Sequence, residues 1–450
     1  MSIRKIRNQN FILLLFFWLA FTFSMRLNIF NIAIASQFER FADQTESFVI
    51  GRATMSKQNG LWSHGFLLGR DTVIGTTDSI NEYQLKSYLE SSKVKGFKEY
   101  PSTPGGSGWL FSIFSSVSPL TPASTLSAFR WLISAISATV LVLIIQGLGL
   151  TFGRLSLVSS GLGLLFSPMI TVAGGHIYWM FGVFLLPMIP ILLLINAGTE
   201  KINRALLLSS IAFFFKCILT GFELITSSLL APIVMLAFVL KLNGFRKDLI
   251  GKKLFLLFVG MGSALILTIA VLTVQISMVR GSYRDGIVHF IDRLETRTIG
   301  SRIPEQIWSN SPIDEGSTAL EVVTYYGSNL QALTLFSLKK YQLFGVRYRT
   351  IFILYFSASI VGFLFTNAKL NVLISIGWLS FLAPISWLVI FKAHALIHPQ
   401  LDVLVWFLPT LFFVYASFGA ILGQFVKRLK NKKRSNTRAR EEEGFETLEP

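Results

Sequence analysis

Apolar runs of about 20 residues recur ten times along this chain, and no other feature restricts its fold so tightly. A helix needs roughly 20 apolar residues to cross the hydrocarbon core of a bilayer, and a soluble domain has no core large enough to bury so many runs. The runs are Phe11–Phe30, Ser127–Leu148, Leu155–Ala173, Ile177–Ala197, Ala205–Leu219, Ile225–Leu242, Leu254–Met278, Ile351–Phe365, Val372–Ile390 and Leu401–Phe425. Hydrophobic residues make up 52% of the chain and the mean hydropathy is +0.58, which excludes an ordinary soluble enzyme. The predicted class is an all-α polytopic membrane protein of about ten transmembrane helices, because in lipid a helix satisfies its own backbone groups.

Basic residues set the orientation. Arg4, Lys5 and Arg7, then Arg154, Lys201 with Arg204, Arg246-Lys247 with Lys252-Lys253, Lys369 and the tail from Lys427 to Arg440 fall on alternate connections. That pattern predicts cytoplasmic termini at both ends. The net charge of +17 then needs no nucleic-acid partner, since the surplus lies beside an anionic leaflet and the tail carries no aromatic residues for stacking on bases among Lys427–Arg434. Residues 427–450 read as a charged, disordered cytoplasmic tail. The single cysteine, Cys217, falls inside a span, so no disulfide framework is available. The first run is too long for a signal sequence and lacks a small-x-small cleavage site before Gln37, so it reads as a retained helix.

Two long segments break the rhythm, about 31–123 and 279–349, both on the outer side. Connections of that length are usually functional or structured. In the first, Ile34, Phe38 and Phe41 recur at helical spacing, which predicts a short amphipathic helix over Asn31–Ala42 with Asp43 and Glu46 at its end. Glycines at 51, 60, 65, 69 and 75 and the stretch Tyr100–Gly108 read as a loop folded back onto the membrane domain. In the second, Tyr283 to Arg297 reads as a mixed-charge helix, either a solvated surface or a basic site formed by Arg293, Arg297 and Arg302.

The titratable groups sort to that outer side. All five histidines, His64, His176, His289, His394 and His398, fall there with Asp43 and Glu46. A carboxylate just outside the bilayer is able to remove a proton from an attacking hydroxyl, and Arg52 to orient a carboxylate or phosphate bidentately. Capping and surface solvation are the plainer roles for the two acids. Lys216 and Glu223 interrupt an apolar run, where ionisable groups are costly; they read either as a self-neutralising pair or as a phosphate-binding Lys216 oriented by Glu223. His176, followed by Tyr178 and Trp179, opens a helix at the membrane boundary. His394 and His398 stand four apart, but no Glu follows the first and Pro399 ends the helix, so hydrogen bonding to phosphate or sugar oxygens is favoured over a metal.

A first helix, an outer segment opening with an amphipathic helix and acidic residues, and many spans joined by short connections resemble the GT-C class of integral-membrane glycosyltransferases. The segment Phe38 to Arg70, Tyr178-Trp179, Lys216 to Glu223 and His398 carry the likeness to bacterial members of that group. The resemblance implies a GT-C-like domain over residues 1–426 in the bacterial cytoplasmic membrane. It implies transfer of a sugar from a polyprenyl-phosphate carrier to a glycan, lipid or envelope-polymer acceptor. It also implies that Asp43 and Glu46 are catalytic, and that Arg52, His64, His176, Tyr178, Lys216, Glu223, Arg297, His394 and His398 bind substrate or phosphate. No cofactor is implied, and no metal is assigned. The chain departs from the family's adjacent acidic pair, having Asp43-Gln44-Thr45-Glu46, and lacks the Trp-Trp-Asp motif of oligosaccharyltransferases. A transporter or flippase of lipid-linked saccharides and a polysaccharide polymerase are the alternatives; no internal repeat of the kind many transporters show is visible.

Overall fold

The computed structural model describes residues 3–42, 45–72, 80–196, 201–300, 303, 311–338 and 341–446. The first part of the chain forms α1 (Ile3–Leu27), α2 (Ala35–Ala42), α3 (Thr45–Asn59), β1 (Leu68–Asp71), α4 (Ile80–Leu89), β2 (Phe97–Tyr100), α5 (Gly106–Val117), α6 (Pro122–Phe152), α7 (Arg154–Leu165) and α8 (Pro168–Ala173). Next come α9 (Phe181–Leu185), α10 (Ile189–Leu192), α11 (Ile202–Thr220), α12 (Ile225–Leu242), α13 (Lys247–Arg280), α14 (Tyr283–Ile299) and α15 (Ala319–Ser328). The chain closes with β3 (Gln331–Leu338), β4 (Tyr341–Arg347), α16 (Tyr348–Phe363), α17 (Ala368–Leu379), α18 (Leu382–Ile390), α19 (Lys392–Ile397), α20 (Pro399–Asp402) and α21 (Thr410–Glu446).

Among the described residues, seven helical stretches are long and apolar enough to cross a membrane: Asn10–Leu27, Pro122–Phe152, Ile202–Thr220, Ile225–Leu242, Lys247–Arg280, Ala368–Ile390 and Thr410–Thr437. Three shorter apolar helices, Arg154–Leu165, Phe181–Ile195 and Tyr348–Phe363, accompany them. The chain is a mostly helical, multi-pass membrane protein. The stretch from Phe181 breaks into α9, a 3₁₀ turn at Leu186–Met188 and α10, because Pro187 and Pro190 withhold the N–H groups a continuous helix needs.

The structure differs from the sequence expectations in three places. The amphipathic helix starts at Ala35, not Asn31, because Asn28 Oδ1 accepts the N–H groups of Ile32 and Ala33 and turns the chain first. The two long segments, 31–123 and 279–349, are not wholly helical: β1 pairs antiparallel with β2, Leu68 opposite Tyr100, and β3 with β4, Gln331 opposite Arg347. Along β3, Ala332 and Thr334 are buried while their neighbours are not, a period of two that a search for helical spacing overlooks. Finally, α21 runs on to Glu446 where a disordered tail was expected, since no Pro or Gly falls between Phe425 and Gly444 and Lys, Arg and Glu favour helix.

The first of these two long segments packs closely. A Cβ on Gly51 would lie 2.2 Å from the carbonyl oxygen of Gly69, so only glycine allows α3 to seat against β1.

Candidate functional site

The polar groups converge where α11 gives way to α12. α11 ends at Thr220, and Gly221 turns the chain with φ 65°, its Cα pressed against Thr103 so that a Cβ would meet Thr103 Cγ2 at 2.6 Å. Leu224 also takes a left-handed conformation, φ 50°, which costs an L-residue about 1–2 kcal/mol. Between these two bends the chain presents Glu223, buried at 3% exposure.

Glu223 is gripped from two sides. Arg297 on α14 donates from Nη2 to its Oε1 at 2.6 Å, and His394 on α19 places Nε2 3.5 Å from its Oε2. The other nitrogen of His394, Nδ1, lies 2.9 Å from Oδ2 of the fully buried Asp402, which also accepts Trp387 Nε1 at 2.8 Å. Arg297, Glu223, His394 and Asp402 thus form one chain of charged and polar groups. Burial raises the Glu223 pKa, but Arg297 and His394 outweigh it and hold the carboxyl below its ordinary range. Burial alone would lower the Arg297 pKa; Glu223 more than reverses this. The His398 ring sits 4.8 Å from that of His394, and burial pushes its pKa down to about 3. The Tyr178 hydroxyl shares a hydrogen bond with Tyr100 beside Arg297.

Lys216 and Glu223 meet through the backbone, with the Lys216 ammonium bonded to carbonyls of the turn. The Lys216 ammonium donates to the carbonyls of Gly221 at 3.1 Å and Glu223 at 2.5 Å and lies over the Phe184 ring at 4.8 Å. It holds the turn that presents Glu223, while Arg297 takes the carboxylate. The self-neutralising Lys216–Glu223 side-chain pair is replaced by an Arg297–Glu223 pair because the break at Gly221 turns the carboxylate off the helix face.

Arg52 and His64 lie in the first long segment, between α1 and α6. Arg52 is fully buried, its fork closed on the carbonyls of Gly60, Leu61 and Ser63 and the hydroxyls of Ser56 and Ser63, and burial lowers its pKa to about 10. His64 Nδ1 lies 2.6 Å from Glu99 Oε1.

Glu46, at the start of α3, belongs to a second cluster. Its Oε2 accepts from Arg130 Nη2 on α6 and its Oε1 from the N–H of Ile177 at 3.3 Å, with His176 Nε2 3.9 Å away. Burial raises the Glu46 pKa, and His176 and Arg130 outweigh that and lower it. The turn 174–180 joins the clusters, carrying His176 toward Glu46 and Tyr178 toward Arg297. Asp43 lies outside the described residues.

Beside Glu223 opens a cavity of about 310 Å³, within the size range of small-ligand sites. Leu265, Ile269 and Leu272 of α13, with Phe222, Ile225 and Phe391, make its walls apolar; His289, Arg293 and Arg297 of α14 bring the nitrogen-bearing side chains. His289 Nε2 lies 3.1 Å from the carbonyl of Pro101, and burial with nearby Arg293 lowers its pKa. Arg297 is common to the cavity and the buried chain.

Four participants were not singled out from sequence: Asp402, Arg130, Trp387 and Tyr100. Asp402 and Arg130 each sit inside an expected apolar run, the signal that did mark Lys216. Among the described residues no group of three or more His, Cys, Asp or Glu side chains is disposed to hold a metal ion. In comparison with known proteins, the chain matches no family model, no curated protein and no solved structure.

Proposed function

We propose that the chain is a glycosyltransferase that moves a sugar from a polyprenyl-phosphate carrier to a glycan, lipid or envelope-polymer acceptor at the outer side of a bacterial cytoplasmic membrane. The observation that supports this most is the cavity with an apolar wall on α13, which Arg293 and Arg297 of α14 also line. Its surface is almost wholly apolar, which suits a prenyl chain, and the Arg297 that would meet the phosphate is among the residues that line it. On this reading the three shorter apolar helices also cross, giving ten spans with both termini cytoplasmic, and the end of the bundle holding Glu223 faces outward.

In the reaction, the acceptor oxygen bonds to the anomeric carbon while that carbon's bond to the phosphate oxygen breaks, and the electron pair leaves with the phosphate. Arg297, held in place by Glu223, His394 and Asp402, stabilises that charge where the dielectric is low. The acceptor proton goes to an outer carboxylate, Asp43 or Glu46; Arg130 keeps Glu46 ionised and able to accept it.

The test is to incubate the purified chain in lipid vesicles with a panel of polyprenyl-phosphate sugars and follow release of the carrier phosphate. Release is expected for one donor, falling by on the order of 10²-fold in Arg297→Gln. Movement of intact lipid-linked saccharide across the bilayer without release would establish the flippase reading instead.

A further inference from the structure

The cluster around Glu46 contains donors that the described residues leave unused. His176 is 6% exposed, and its Nδ1 accepts the N–H groups of Tyr178 at 3.2 Å and Trp179 at 3.3 Å. In the neutral ring the proton must then sit on Nε2, which has no hydrogen-bond partner among the described residues. Burial holds His176 in that neutral form, lowering its pKa to about 4. Arg26, at the end of α1, donates one Nη2 bond to Ser127 at 3.1 Å and leaves Nε unpartnered among the described residues. Arg130 is committed on one side to Glu46.

These side chains line a cavity of about 210 Å³ together with Met25, Phe38 and Gly175. That is below the roughly 300 Å³ at which pockets for larger organic ligands begin. Among the described residues that line it, two guanidinium groups stand against one carboxylate, a surplus of one positive charge. An imidazole N–H and a guanidinium N–H, both without partners there, are costly to bury and complementary to oxygen acceptors.

We propose that the cleft formed by Arg26, Arg130 and His176 binds a phosphoryl oxyanion, at a site separate from the cavity at Arg297. Arg26 Nε and His176 Nε2 donate to its oxygens, and Arg130, oriented by Glu46, supplies the second cation. The phosphoryl group comes either from a phospholipid headgroup or from a soluble phosphate compound. The cleft shares Glu46 and Arg130 with the proposed acceptor side of the transferase, but binding of a phosphoryl group there needs no turnover at Arg297.

The test uses the purified full chain in neutral-detergent micelles with thermal unfolding as the readout. Inorganic phosphate and, separately, micelles doped with phosphatidylglycerol are compared with chloride at equal ionic strength. A rise in Tm of about 2 °C or more is expected from at least one of the two, and from chloride none. A response to inorganic phosphate identifies a soluble source; a response only to the doped micelles identifies the headgroup. The shift should vanish in Arg26→Gln, return in part in Arg26→Lys, and persist in Arg293→Gln, which alters the other cavity. Arg26 is part-exposed and gives up one bond to Ser127 and a contact over the Trp131 ring, so these variants should remain folded. The proposal is overturned if neither phosphate source shifts Tm, or if Arg26→Gln responds like the unaltered protein. Failure of carrier release in the vesicle assay would leave these outcomes unchanged, so the two readings fail separately.

Discussion

Arg297 and Glu223, 74 positions apart, form a buried ion pair at 2.6 Å that ties α14 to the turn between two membrane helices. The pair is the hinge point of the site. Arg297 also lines the apolar cavity, and the carboxylate side of the pair continues through His394 to Asp402. A charge pair taken out of water is weak as a source of stability, yet breaking it by removing one partner is expensive.

The first prediction follows from that asymmetry. Glu223→Gln leaves Arg297 buried beside a neutral amide, and Arg297→Met leaves Glu223 with only His394, so each single change should destabilise the fold by about 3–5 kcal/mol. The double variant should recover a large share of that loss. Chemical unfolding of all four proteins in micelles measures the coupling; additive losses would show that the two side chains act independently.

The division of labour at this turn also shows what was legible in the sequence. Glu223 and Lys216 stood out because an ionisable group in an apolar run needs a partner, and both are indeed buried. Their spacing suggested a mutual pair, and only the left-handed bend at Gly221 redirects one to Arg297 and the other to backbone carbonyls. Arg297 lay in view within a mixed-charge helix, but sequence cannot say which face of such a helix turns inward. Asp402 and Arg130 were readable by the rule that flagged Lys216, and were hidden by lying near the ends of their runs, where charged residues ordinarily reach water. Seven of the ten expected runs are long apolar helices, legible because length and apolarity suffice to mark them; the other three form shorter helices. The two small sheets were not, since each strand of the first is four residues long.

The second prediction concerns acid. An ordinary histidine titrates near 6.5, while burial lowers His176 to about 4 and His398 to about 3, and also lowers His289. The folded protein keeps these rings neutral; the unfolded chain takes up protons as pH drops below about 6.5. Their contribution is therefore complete above pH 6.5 and is lost as pH falls toward 4, with Glu46 and Glu223, held below the ordinary 4.5, adding further loss at the acid end. For His176 alone a fall from 6.5 to about 4 corresponds to on the order of 3 kcal/mol. Tm measured from pH 7.5 to 4.5 should decline steadily, and His176→Gln should flatten part of the decline. A Tm that holds or rises on acidification would contradict the buried neutral state.

The last prediction separates a lipid-binding groove from an incidental gap. Ile269 lies on the α13 wall of the 310 Å³ cavity. A tryptophan there fills space that a prenyl chain would occupy, while leaving Arg293, Arg297 and the Glu223–His394–Asp402 chain in place. Overpacking of a filled core costs about 1–3 kcal/mol, but an open cavity should accept the larger ring with little loss of stability. If the cavity holds the carrier's chain, Ile269→Trp should lower affinity for long-chain polyprenyl phosphates by about 10-fold, equivalent to about 1.4 kcal/mol. Water-soluble short-chain analogues, which place only the phosphate near Arg297, should lose far less. Equal losses for long and short chains would mean that the substitution disturbs the site as a whole, and unchanged binding of both would place the carrier elsewhere.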